Sequence, residues 1–348
     1  MQRWTMRPEG STWGDFGADD ELGRLNLLTE QQVLKGVQEV RAGKVFCLSL
    51  PLDLPGGSLL NPARRPPQLR PTERDGKPRM NYPLSKVDPT AIDVVCDDQV
   101  MLTLQYSTQW DAFAHIGAMF DARGDGKPEK LFYNGYKAGE HVIGPVDYDG
   151  DAEHDCSRAH ASFGAKKLGV QNFAVKGMQG RGVLIDLGHH FGTERVLVGY
   201  QELMDIMRRD NVVVEAGDML VLRTGFAEEV VRMAGDPDPH VLHGSCAVLD
   251  GADERLLQWI TDSGIVAICA DNYAVEAYPA RAREGKKALL PLHHHCLFKL
   301  GVPLAELWYL QELAGWLRTR QRNRFLLTAP PLRLPGAVGS PVTPIATV

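Results

Sequence analysis

Ile265-Val266-Ala267-Ile268-Cys269-Ala270-Asp271 is the most strand-like run of the chain, an apolar and partly β-branched segment that stops on a carboxylate. Its shortness and its Ile and Val content predict a buried strand rather than a helix. Just upstream, residues 254–261 carry Leu256, Trp259 and Ile260 on one helical face. The alternation continues outward. Residues 201–209 read as an amphipathic helix, residues 218–225 as a buried strand closing on Thr224-Gly225, and Arg181-Gly182-Val183-Leu184-Ile185-Asp186-Leu187 as a strand after a glycine turn. Nearer the N-terminus, Thr29 with Gln32 reads as a capping box for a helix bearing Val33, Val37 and Val40, and residues 45–50 read as a strand. Strands alternating with helices predict an α/β fold with a parallel or mixed sheet.

The chain has 348 residues, 44% hydrophobic and 24% charged, with a formal net charge of −6. That composition is ordinary for a globular protein and offers no electrostatic attraction to nucleic acid or an anionic membrane, so the expected partner is a small-molecule substrate. Six cysteines are scattered without a Cys-x-x-Cys pair, which argues against a thiolate zinc site and a disulfide framework. The N-terminus reads as neither a signal segment nor a membrane span, and a cytoplasmic location is expected. The length is compatible with a single domain over residues 1–348, extended by a Pro/Arg-rich arm at 51–83 around Arg64-Arg65-Pro66-Pro67 and by a Pro/Gly-rich tail at 329–348.

Chemistry-capable side chains crowd most densely in Gln105-Tyr106-Ser107-Thr108-Gln109-Trp110-Asp111-Ala112-Phe113-Ala114-His115. The preceding Val100-Met101-Leu102-Thr103-Leu104 has strand character, so these polar residues are expected at a strand end. Two further places supply ligand chemistry, His293-His294-His295 and Glu306. Imidazole and carboxylate are the usual ligands of zinc or manganese, but three consecutive histidines diverge on any regular element, so one or two of them serve a site. Glu306 also reads simply as a carboxylate near a helix start. Asp147-Tyr148-Asp149-Gly150-Asp151 reads as a solvated acidic turn rather than a calcium loop, and His154 and His160 as polar surface.

Seven pieces in fixed order give the chain its resemblance to a family. They are Trp13-Gly14 with residues 20–29, Thr108-Gln109-Trp110-Asp111 with His115, Tyr133-Asn134-Gly135, Arg181-Gly182-Val183-Leu184, Gly217-Asp218 with Arg223-Thr224-Gly225, Asp271-Asn272 with Glu276, and the His-rich stretch with Gly301 and Glu306. Over most of its length the chain resembles the cyclase family, which includes kynurenine formamidases and isatin hydrolases, and within it a longer branch. The resemblance implies a swivelling β/β/α fold with a mixed sheet. It implies subunits associating as a homodimer or homotetramer, with arms completing neighbouring sites. The metal-dependent members carry His-x-Gly-Thr-His-x-Asp-x-Pro-x-His, which falls here on Gln105, Ser107, Thr108, Gln109, Asp111, Phe113 and His115. The implied metal ligands are Asp111, Glu306 and one of His293 and His294, with His115 in acid–base catalysis.

Glutamine at both leading positions weakens zinc binding, because an amide oxygen is a weaker ligand than imidazole. Three outcomes stay open: one divalent ion (manganese, magnesium or zinc), a metal-free site in which Gln105 and Gln109 donate to an oxyanion, or lost catalysis. The corresponding functions are hydrolysis of a cyclic or aryl amide or lactone carbonyl, and a non-hydrolytic small-molecule-binding, cyclase or dehydratase role on the same fold. Trp110, Phe113, Tyr133 and Tyr136 are candidates for an aromatic wall selecting a planar substrate, with core packing as the competing role.

Overall fold

The computed structural model describes residues 3–144, 163–285 and 287–348, so the acidic run at 147–151 and His154 and His160 lie outside the described residues. Nine strands form one mixed sheet: β1 (Val45–Cys47), β2 (Gln109–Asp111), β3 (Gln179–Asp186), β4 (Met219–Arg223), β5 (Ala267–Ala270), β6 (Leu304–Glu306), β7 (Arg324–Thr328), β8 (Gly339–Pro341) and β9 (Ile345–Thr347). Their order is β1-β9-β7-β3-β4-β5-β6-β2-β8. At the centre β3, β4, β5 and β6 run parallel, and the helices Tyr200–Arg209 and Glu254–Ser263 lie in the crossovers. The buried runs Met219-Leu220-Val221-Leu222 and Ala267-Ile268-Cys269-Ala270 are apolar throughout because both sheet faces are covered there.

The flanking strands pair antiparallel. Residues 339–347 carry both β8, paired with β2 at one edge, and β9, paired with β1 and β7 at the other side. One short C-terminal segment thus reaches both ends of the sheet and curls it. The proline- and glycine-rich composition of this tail masks its strands, although Ser340 and Ala346 within them and Val342 and Val348 just after them are buried.

Three local expectations are corrected. Residues 98–101 are a fully exposed strand paired with Gln68–Pro71 in a two-stranded ribbon, so the polar stretch does not follow a packed strand; its centre, Gln109–Asp111, is itself strand β2. The helix Glu30–Val37 has no side-chain cap from Thr29, and the Gln32 amide instead donates to the Ala216 carbonyl. Nor is its valine face buried, since Val37 is 49% exposed. The helix meets β3 through Gly36, where a Cβ would fall 2.8 Å from the Gly180 carbonyl. Small residues set that contact.

The excursion after β1 divides in two. Leu50, Leu54 and Leu60 pack against Phe226, Val230 and Leu307 and pin residues 51–64 to the body. Residues 68–101 form the exposed ribbon, with Ile92 93% exposed near its tip. Among the described residues no helix is long and apolar enough to cross a membrane.

Several of the ordered sequence pieces are scaffold. Arg181 at the start of β3 makes a two-pronged bond to Asp218 before β4, at 2.8 and 3.1 Å, and both residues are buried. Asp271, after β5, accepts from the Thr224 N–H and hydroxyl and the Gly225 N–H, fixing the end of β4. Breaking a buried pair strands the remaining charge and costs about 3–5 kcal/mol. Asp218→Ala is therefore expected to lower stability by that amount in urea unfolding; a loss under about 1 kcal/mol would show that Glu215 alone satisfies Arg181.

Candidate functional site

Strand β6 ends the parallel stack, and β2 enters beside it antiparallel with Glu306 opposite Gln109 and Leu304 opposite Asp111. Because side chains alternate along a strand, Gln109, Asp111 and Glu306 share one face while Trp110 points to the other. The short helix Pro291–His293, continuing into the π-helix His294–Leu300, sets His293 over that face. One ligand atom from each of Asp111, His293 and Glu306 lies within 4.8 Å of the others, and all three residues are buried.

Glu276 fixes the histidine. Its carboxylate accepts from the Leu292 and His293 N–H groups and meets His293 Nδ1 at 2.9 Å, which turns Nε2 toward Glu306 Oε1 at 3.3 Å. Such a carboxylate behind an imidazole sets its tautomer and raises its basicity. Burial alone would lower the His293 pKa, but the bonds to Glu276 and Glu306 outweigh it and raise it to about 10. Burial drives the Asp111 carboxyl upward, with Glu306's charge adding to the effect. Glu306 is equally buried, yet the His293 bond and the Arg64 charge hold it below its ordinary value.

The Gln109 Nε2 donates to Glu306 Oε2 at 3.0 Å, with a longer contact of 3.5 Å to Asp111 Oδ1. Turning the amide over would set oxygen against two carboxylates, so this orientation is dictated by charge. It leaves two buried acceptors, Gln109 Oε1 and Asp111 Oδ2, without a donor. Orphaned acceptor oxygens beside two carboxylates and an imidazole fit a single divalent cation of the oxygen- and nitrogen-binding kind, and this donor set contains no thiolate.

His115 Nε2 stands 3.8 Å from Asp111 Oδ1, its side chain 21% exposed while those of the three clustered residues are buried. Gln105 is half-buried, and a Cβ at Gly339, which pairs opposite Asp111, would come 2.4 Å from its amide nitrogen, so glycine leaves it room beside β8 on the Asp111 face. His294 is turned away against Phe298, with ring centroids 5.0 Å apart, and burial lowers its pKa to about 4. His295 meets the Thr261 hydroxyl at 2.9 Å. The three neighbours thus diverge, and His293 alone of the triplet joins the cluster.

The four aromatic candidates are buried in the core. Trp110 donates to the Ala329 carbonyl and packs edge-on to Trp308, Phe113 packs on Tyr133 and Phe173, and the Tyr136 hydroxyl donates to Asp19 O. Their packing partners account for each ring. Sequence reading did not assign roles to Glu276 or Arg64. Glu276 belonged to a quoted piece, while Arg64 sat unremarkably in the Pro/Arg-rich excursion. A groove of about 460 Å³ lined by Asp186, Arg209 and Arg318 shares no residue with this cluster.

The "Putative cyclase" family model matches residues 46–277, which include β2, His115 and Glu276. A crystal structure described as a novel cyclase is 28% identical, covers 97% of each chain and gives a TM-score of 0.71. Isatin hydrolase A from Labrenzia aggregata, bound to benzyl benzoate, is 12% identical over 91% of this chain and 98% of its own, with a TM-score of 0.54. Isatin hydrolase A from Ralstonia solanacearum is 15% identical over 87% and 91%, with a TM-score of 0.53. No curated protein matches the chain. At such identities the isatin hydrolases share its fold, and the family match over two-thirds of the sequence gives the assignment: the chain belongs to the cyclase family.

Proposed function

We propose that the protein is a hydrolase of a cyclic or aryl amide or lactone carbonyl that works with one divalent cation. The observation that carries this reading is the cluster of Asp111, His293 and Glu306 with two orphaned acceptors on its rim. The metal-free alternative needs glutamine N–H groups facing an oxyanion. Instead, the Gln109 N–H groups are taken up by Glu306 and Asp111. Asp111, His293 and Glu306 would hold the ion, beside Gln109 Oε1; when bound, it would bring a water's pKa toward neutrality and polarise the substrate carbonyl.

The remaining chemistry falls to side chains. His115, next to Asp111 and partly exposed, would take a proton from the attacking water and return it to the leaving nitrogen or oxygen. Glu276 keeps His293 Nε2 aimed at the cluster. Elemental analysis should find about one manganese, magnesium or zinc per chain, and chelation should abolish turnover of formamides, cyclic imides or lactones. His115→Ala should lower kcat by about 10²–10⁴-fold while leaving the ion bound. Binding without turnover across that panel would favour the non-hydrolytic role and sink the hydrolase.

Gln109→His tests the ligand chemistry separately. An imidazole there is expected to raise zinc affinity by about tenfold or more over wild type in competition with a chromogenic chelator; unchanged affinity would place Gln109 outside the ion's reach.

The homodimer or homotetramer is a proposal of the same kind. Support comes from the exposed Leu69, Val94, Val100 and Met101 along the ribbon, apolar groups that a second copy of the chain would cover. Replacing residues 68–101 by a short Gly/Ser link should lower the mass measured by light scattering, and an unchanged mass would count against the arm.

A further inference from the structure

We propose that Arg64 is a resident cation of the carboxylate cluster and that its charge limits the site to a single divalent ion. This rests on the reading that Asp111, His293 and Glu306 hold a cation. The arginine arrives from the excursion after β1, far from every other site residue in sequence. Its Nη1 lies 3.8 Å from Glu306 Oε2 and donates to the Gln105 carbonyl at 2.8 Å. Its Cζ stands 5.7 Å from the centre of the Tyr273 ring.

The guanidinium is held there by its loop. Leu60 is buried against Phe226 and Leu307, the Asn61 amide contacts the Tyr273 hydroxyl at 3.3 Å, and the Tyr106 hydroxyl donates to the Gly57 carbonyl at 3.0 Å. Beyond it, the Arg65 N–H donates to the Thr103 hydroxyl at 3.0 Å. With bonds on both sides of position 64 and a side chain only 16% exposed, the charge is a fixed part of the site rather than a swinging surface group.

Charge balance then sets the ion count. Two buried carboxylates, those of Asp111 and Glu306, face this space, and a third, Glu276, stands behind the His293 ring. Arg64 and one dication, with His293 giving up its Nε2 proton to solvent as it becomes a ligand, answer all of them. A second dication would leave surplus positive charge in a site of low effective dielectric, where uncompensated charge is strongly disfavoured. Arg64 also opposes the first ion, since like charges on either side of Glu306 repel.

The test is equilibrium dialysis of Mn²⁺ against the full chain, read by elemental analysis and by the spin resonance of free Mn²⁺. Wild type is expected to take one ion. Arg64→Ala should bind Mn²⁺ about tenfold or more tightly, or take a second ion, and Arg64→Lys should follow wild type because it keeps the charge. Arg64→Gln, which can still donate to the Gln105 carbonyl, should follow Arg64→Ala and serves if the alanine variant does not fold. A folded neutral variant that binds no tighter than wild type, or a lysine variant that behaves like alanine, overturns the proposal. A wild type that binds no Mn²⁺ overturns the cation reading instead. In that case a neutral variant that acquires an ion still supports Arg64 as the opposing charge, and one that acquires none defeats it.

Discussion

Asp111 and Glu306 are buried on adjacent strands, on one face, with like charge. The rest of the site answers that arrangement. Two carboxylates taken out of water and set side by side repel and lose hydration together, so the fold must supply positive charge or hydrogen-bond donors at the same place. It supplies His293 from the short helix Pro291–His293, Arg64 from the loop after β1, and the Gln109 amide between the two carboxylates. The pairing of β2 with β6 creates the conflict, and three separate parts of the chain converge to contain it.

Sheet topology explains why the conflict sits there. The middle of the parallel core, Met219–Leu222 of β4 and Ala267–Ala270 of β5, is apolar on both faces, and charge enters only at its margins. At β6 the direction changes, and the antiparallel β2 brings a polar sequence against the last parallel strand. The core pieces that resemble the family divide accordingly. Arg181 with Asp218, and Asp271 with Thr224 and Gly225, tie the parallel strands to one another. Gln109, Asp111, Glu276 and Glu306 meet at the change of direction.

Much of this was legible in the sequence. The parallel strands announced themselves as short apolar runs between amphipathic helices, and the polar density around Gln109–Asp111 together with Glu306 marked the site. Choosing His293 over His294 depended on the turn from Pro291 into the π-helix, which spacing alone does not encode. Glu276 and Arg64 act across the fold, so nothing local distinguishes them from a surface carboxylate or a loop arginine. The strands of the C-terminal segment were masked by proline and glycine, whose turn chemistry is compatible with edge pairing. The aromatic residues drew attention by type, yet ring stacking and buried N–H or O–H bonds are equally what a core asks of them.

The glutamine at 109 is best understood from its two hydrogens. A neutral imidazole offers one N–H and one lone pair, and so bonds one carboxylate while presenting nitrogen to a metal. A primary amide spreads its N–H groups between Glu306 and Asp111, at 3.0 and 3.5 Å, and still keeps a carbonyl oxygen free. It therefore holds two mutually repelling carboxylates in place by itself, and would offer the proposed cation an oxygen rather than a nitrogen. Against the histidine that the family resemblance implies at this position, glutamine would exchange ligand strength for preorganisation and would suit the proposed donor set to harder ions than zinc.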